Sequence, residues 1–74
     1  MIYSEEILEM RSKISENMKK LRLKSGLTKK EIAKKAKIAV STYKDIENNK
    51  TLNPNMYTLI KISSALGVRF YELL

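Results

Sequence analysis

The stretch Thr28–Lys50, TKKEIAKKAKIAVSTYKDIENNK, decides how the chain folds. Its apolar residues Ile32, Ala33, Ala36, Ile38, Tyr43 and Ile46 recur at helical spacing, stop, and resume a few residues later. The pattern predicts a helix over 29–36, a corner at Lys37–Ile38–Ala39 and a second helix over 40–48. Thr28, followed three residues later by Glu31, is a capping box in which hydroxyl and carboxylate each satisfy an orphan backbone N–H, so the first helix starts there. Ala33 falls at its centre, where a small side chain lets the second helix cross closely. Tyr43 and Ile46 close the crossing from the other side, and Asn48–Asn49 ends the second helix because asparagine tolerates positive φ.

The flanking segments read as supports for this pair. Ser4 caps a helix whose first turn carries Glu5 and Glu6, well placed for the helix dipole. Ile7, Met10, Ile14, Met18 and Leu21 extend it as one stripe, which predicts a helix over about 5–25, closed by Gly26 in the left-handed region with Leu27 beneath the turn. Beyond the loop from Lys50 to Asn53, Pro54 sits at the first turn of a fourth helix, a position that tolerates proline. Met56, Leu59, Ile60, Ile62, Ser63 and Leu66 supply its buried side, and Gly67 ends it. A last short helix, Phe70–Leu74, turns Phe70 and Leu73 inward. No strand signal interrupts the series, so the expected architecture is all-α, a compact bundle of five helices.

Composition narrows the chemistry. Seventy-four residues make one small domain with room for a core but no deep pocket. Cysteine and histidine are both absent, which removes disulfides, nearly all zinc arrangements, thiol nucleophiles and imidazole acid–base catalysis. No nucleophile with a base and an orienting third group can be assembled, so the chain is expected to be neither an enzyme nor a cofactor or metal protein. Glu5, Glu6 and Glu9 read as helix-dipole partners rather than ligands. The methionines at 10, 18 and 56 read as core or interface filler. No apolar run approaches the roughly 20 residues that span a bilayer, and carboxylates stand where a signal peptide carries lysines, so a cytoplasmic chain is expected.

Charge points to a partner. Fifteen basic against eight acidic residues give +7, and residues 28–50 hold seven of the basic and three of the acidic ones. The excess therefore peaks on the helix pair. Such a surface attracts polyanions because neutralised phosphates release their counterions. A solvated lysine-rich face that keeps a small protein soluble has the same composition.

Over about residues 14–74 the chain resembles the Cro and phage-repressor helix-turn-helix family, also called the XRE family. The elements that carry the likeness are Leu21–Arg22, Gly26–Leu27–Thr28, Glu31–Ile32–Ala33, Ser41–Thr42, Ile46–Glu47, Lys50, Pro54 and Ala65–Leu66–Gly67–Val68, in order and without a gap. The resemblance implies a lambda-repressor-like bundle over 14–74, with residues 1–13 as an N-terminal extension of the first helix. It also implies a bacterial or phage-encoded, sequence-specific regulator of transcription that binds double-stranded DNA, probing the major groove with the helix from Val40. The exposed side chains of that helix's first turns are then the base readers: Val40, Ser41, Thr42, Lys44 and Asp45. Phosphates fall to Thr28 and Lys29 on one flank and to Asn48, Lys50 and Asn55 on the other, contacts that position without reading sequence. Arg22 and Glu47 correspond to a partly buried ion pair joining the first and third helices.

The chain departs from the family pattern at three positions. Lys37 stands where glycine is usual in the turn, Ala39 where a serine or threonine caps the reading helix, and Lys29 where glutamine opens the second helix. Ile2, Tyr3, Leu8, Tyr57, Tyr71 and Leu74 find no place in so small an interior. Family practice assigns Tyr71 and Leu74 to a homodimer patch, with no small-molecule substrate and no membrane. Two rival readings stand beside this one: an antitoxin-like protein-interaction module of the same fold, and a basic bundle that coats membranes or RNA nonspecifically, which lacks the large apolar face that membrane binding needs.

Overall fold

A computed structural model describes residues 4–50 and 54–74. Helix α1 runs unbroken over Glu5–Ser25, α2 over Lys29–Ala36, α3 over Val40–Glu47 and α4 over Met56–Leu66, and Phe70–Leu73 closes the chain as a 3-10 turn. The expected fifth helix is thus one turn of the tighter kind. All described regular structure is helical, and no described helix is long and apolar enough to cross a membrane.

Side chains set the starts. Ser4 accepts from the Ile7 N–H, Thr28 and Glu31 exchange both bonds of the capping box, and Asn55 accepts from the N–H groups of Tyr57 and Thr58. Asn55 is therefore the cap of α4, and Pro54 stands just outside the helix rather than in its first turn. Proline's missing N–H costs nothing there, and the asparagine amide meets the orphan donors better than a bare start would.

The helix ends share one device. Lys37, Asn49 and Gly67 each take a left-handed conformation, so that the following N–H reaches back to the carbonyl of Ala33, Asp45 or Ser63. At the end of α3 the positive φ belongs to Asn49 alone, and Asn48 is the cap before it.

The core gathers where the four helices meet. Met18 of α1, Ile32 of α2, Tyr43 of α3, Ile62 of α4 and Leu73 of the 3-10 turn are wholly enclosed, each worth about 1.5–3 kcal/mol when apolar area alone is counted. Ala33 and Ala36 permit the close approach of α2, which packs most extensively against α4. Asn17 donates to the Leu73 carbonyl at 2.9 Å and so ties the 3-10 turn to α1. Phe70 is half-buried against the same cluster.

Several positions of the expected stripes lie outside this core. Ile7, Met10, Met56 and Ile60 are exposed by 44 to 64%. The cause differs by place. Ile7 and Met10 belong to turns of α1 that overhang the bundle, whereas Met56 and Ile60 lie on the rim of the α4 face, of which Leu59, Ile62, Ser63 and Ala65 fill the centre. Leu8, Tyr57, Tyr71 and Leu74 are exposed, and Ile2 and Tyr3 fall outside the described residues.

Candidate nucleic-acid interface

Helix α3 divides cleanly into two faces. Tyr43, Ile46 and Glu47 turn into the bundle, while Val40, Ser41, Thr42, Lys44 and Asp45 are all exposed. The division follows from spacing: positions 43, 46 and 47 lie on one side of a 3.6-residue helix, leaving the first turn bare on the other. The start of α3 is bare in a second sense. Ala39 supplies no side-chain cap, so the first N–H groups of the helix meet no protein acceptor from that residue.

The rear face is held by polar bonds as well as by packing. Arg22 Nε donates to Glu47 Oε1 at 3.0 Å while its Nη1 donates to the Leu27 carbonyl, joining α1, the α1–α2 turn and α3. The Glu47 side chain is 1% exposed and the Arg22 side chain 12%. Lys29 Nζ lies 3.6 Å from the second carboxylate oxygen, too long for a hydrogen bond but close enough for Coulomb attraction. One carboxylate thus gathers two cations from two other helices. Ser15 Oγ donates to the Ile46 carbonyl at 2.7 Å, beside the bond that this carbonyl accepts from the Asn49 N–H, and Asn49 Nδ2 donates to Ser12 Oγ nearby. Burial, reinforced by the Glu47 carboxylate, holds the Tyr43 hydroxyl far above its usual pKa.

The residues expected at phosphates stand around α3. Thr28 is exposed at the start of α2, and its hydroxyl oxygen accepts from the Glu31 N–H. The backbone N–H of Thr28, with its hydroxyl, draws the Glu31 carboxyl below the ordinary glutamate value. Lys29 is half-buried and directed toward Glu47, whereas Asn48 and Lys50 are exposed just past the end of α3. Asn55 is exposed too, but its side-chain oxygen is committed to capping α4, leaving only the amide nitrogen free. Tyr71 and Leu74 lie on the outer surface of the 3-10 turn and C-terminus.

Sequence reasoning missed the link from Lys29 to Glu47 and the serine bonds from α1. The pairs lie 18, 31 and 37 positions apart, and no periodicity reports such a pairing. Ser12 and Ser15 belong to no apolar stripe and no capping motif, yet their hydroxyls hold the far end of α3.

Two short helices meeting at a tight corner, the second laid bare along its outer face and braced from behind, define a helix-turn-helix protein. The helix-turn-helix family model matches residues 18–73, and the chain belongs to that family, in its Cro and phage-repressor branch. The chain is 37% identical over 62 residues to an HTH-type transcriptional regulator, DdrOP3, of Deinococcus deserti. That match takes in 84% of this chain and 47% of the relative, so the chain spans about half the relative's length. No solved structure matches the chain at comparable stringency.

Proposed function

We propose that the chain is a transcriptional regulator, acting as a repressor, that recognises a specific sequence in double-stranded DNA and binds as a homodimer in a bacterial cytoplasm. The observation that supports this best is the two-faced α3: Ser41 and Lys44 stand clear of the protein while Tyr43, Ile46 and Glu47 fix the helix from behind. A helix of this width enters the major groove, where lysine donates to guanine O6 and N7, serine serves several bases and valine meets a thymine methyl. Asp45 accepts from a cytosine amine or faces a lysine. Thr28, Lys29, Asn48, Lys50 and the free amide of Asn55 flank the groove and hold phosphates. Lys29 reaches its phosphate while still facing Glu47, so its contact is weaker than that of Lys50. A homodimer places its two α3 helices on half-sites about 34 Å apart, one turn of the duplex.

Selection of bound sequences from random duplex DNA at two salt concentrations tests the reading. Ser41→Ala or Lys44→Ala should relax preference at single base pairs by about 1–3 kcal/mol, whereas Lys50→Ala should weaken all sequences alike and lower the salt slope by about one. Equal losses on selected and random DNA in both sets reject the division of roles. If no sequence is enriched and a stoichiometric protein partner is recovered in high salt, the chain is an interaction module instead.

A further inference from the structure

Ser12 and Ser15 of α1 hold the far end of α3, but the turns of α1 ahead of them make no described hydrogen bond to it. They begin at Glu5, and the family match begins at Met18, so 13 residues (18 − 5 = 13), about 20 Å of helix, precede it. Beneath this overhang lies a groove of about 280 Å³ whose walls include Ile7 and Met10 of α1, Met56 of α4, Phe70 of the 3-10 turn and Leu74. Among the described residues that line it, Arg11 alone is charged. Its Nε is enclosed and has no hydrogen-bond partner among the described residues, a costly state for a guanidinium N–H.

We propose that the occupant of this groove is the acidic tip of α1 from a second copy of the chain. Charge argues for it. Glu5, Glu6 and Glu9 are all exposed, and no basic side chain precedes Arg11, in a chain whose net charge is +7. The tip is thus the surface of this chain most attracted to Arg11, and its insertion brings two basic proteins together without setting their lysines against each other. Geometry agrees. Tip and groove adjoin on one molecule, so a single two-fold axis inserts each tip into the other's groove and satisfies both Arg11 side chains at once. The contact also runs on into Leu74, part of the surface already assigned to the homodimer, and the inference rests on that dimeric reading.

Sedimentation of the full chain across a concentration series tests it with two charge reversals, Arg11→Glu and the double variant Glu5→Lys/Glu6→Lys, each checked for native helicity by circular dichroism. Alone, each should dimerise roughly tenfold to a hundredfold more weakly, because like charges meet in both halves of the interface. Mixed in equal amounts they should dimerise as the parent does, since every reversed residue then faces its complement. If the parent is dimeric and both variants match it, or if mixing restores nothing, the groove assignment is overturned while the dimeric regulator stands. A parent that stays monomeric well above the concentration at which it binds DNA overturns both. If that monomer is also stabilised against heat by millimolar decanoate, the groove takes an amphipathic carboxylate instead.

Discussion

Helices α2 and α3 have the same length, eight residues, yet they begin in opposite ways. At the start of α2, Thr28 and Glu31 satisfy two backbone N–H groups reciprocally, and the chain enters in relaxed extended geometry. The start of α3 has no side-chain cap, and it follows Lys37 at φ 58, where a residue with a Cβ pays about 1–2 kcal/mol. Stability of α3 comes instead from its back and its far end, through Tyr43, Ile46, Glu47 and the bond from Ser15. A grip from behind leaves the first turn of α3 uncovered, as the proposed function requires.

The contrast can be broken most forcefully at Glu47. Glu47→Ala leaves the Arg22 guanidinium largely enclosed with only the Leu27 carbonyl, and should destabilise the fold by about 3–5 kcal/mol in denaturant unfolding. A loss below about 1 kcal/mol, the scale of a surface pair, would show that the rear grip is not what holds α3. Repairing the front should have a smaller and opposite effect: Lys37→Gly and Ala39→Ser should each stabilise by about 1 kcal/mol, read as a rise in the denaturant midpoint. If neither raises it, α3 does not begin weakly. The smallest effect concerns the well-made start of α2. Because the Glu31 pKa is depressed in the fold, its contribution is complete above the ordinary glutamate value of 4.5 and is lost as pH falls through the lower folded value. The difference in Tm between the parent and Glu31→Gln should therefore be present at neutral pH and vanish in acid below the carboxylate range. A difference unchanged by acid would mean that the carboxylate plays no part in the cap.

How much of this was legible in the residues depended on whether the cause was local. Thr28 with Glu31, Gly26, and the arrested period of Ile32 to Ile46 are short-range signals, and they located α2, the corner and α3 to within a residue. Lys37, standing where glycine is usual in the family's turn, takes the positive φ that a glycine adopts without strain. Pro54 misled because proline suits both the first helical residue and the position before a cap, and only the amide of Asn55 decides between them. The apolar stripe of α1 was continuous in sequence, but burial ended at Ile14, because periodicity says which way a side chain points and not whether another helix lies there. Exposed α3 residues were legible by subtraction from the buried ones. The bracing of Ser15 and Lys29 was not, since both act across the fold.

Tyr43 carries a further consequence. Its ring is sealed at 0% exposure and its hydroxyl resists ionisation through burial first and the neighbouring carboxylate second. In base the unfolded chain forms this phenolate far more readily than the folded one, so alkali pulls the equilibrium toward unfolding once pH passes the ordinary phenol value of 10.0. The chain has three other tyrosines, so the ultraviolet absorbance of this phenolate is read as the difference from a Tyr43→Phe variant, and that difference becomes an optical gauge that rises when α3 comes away from the bundle.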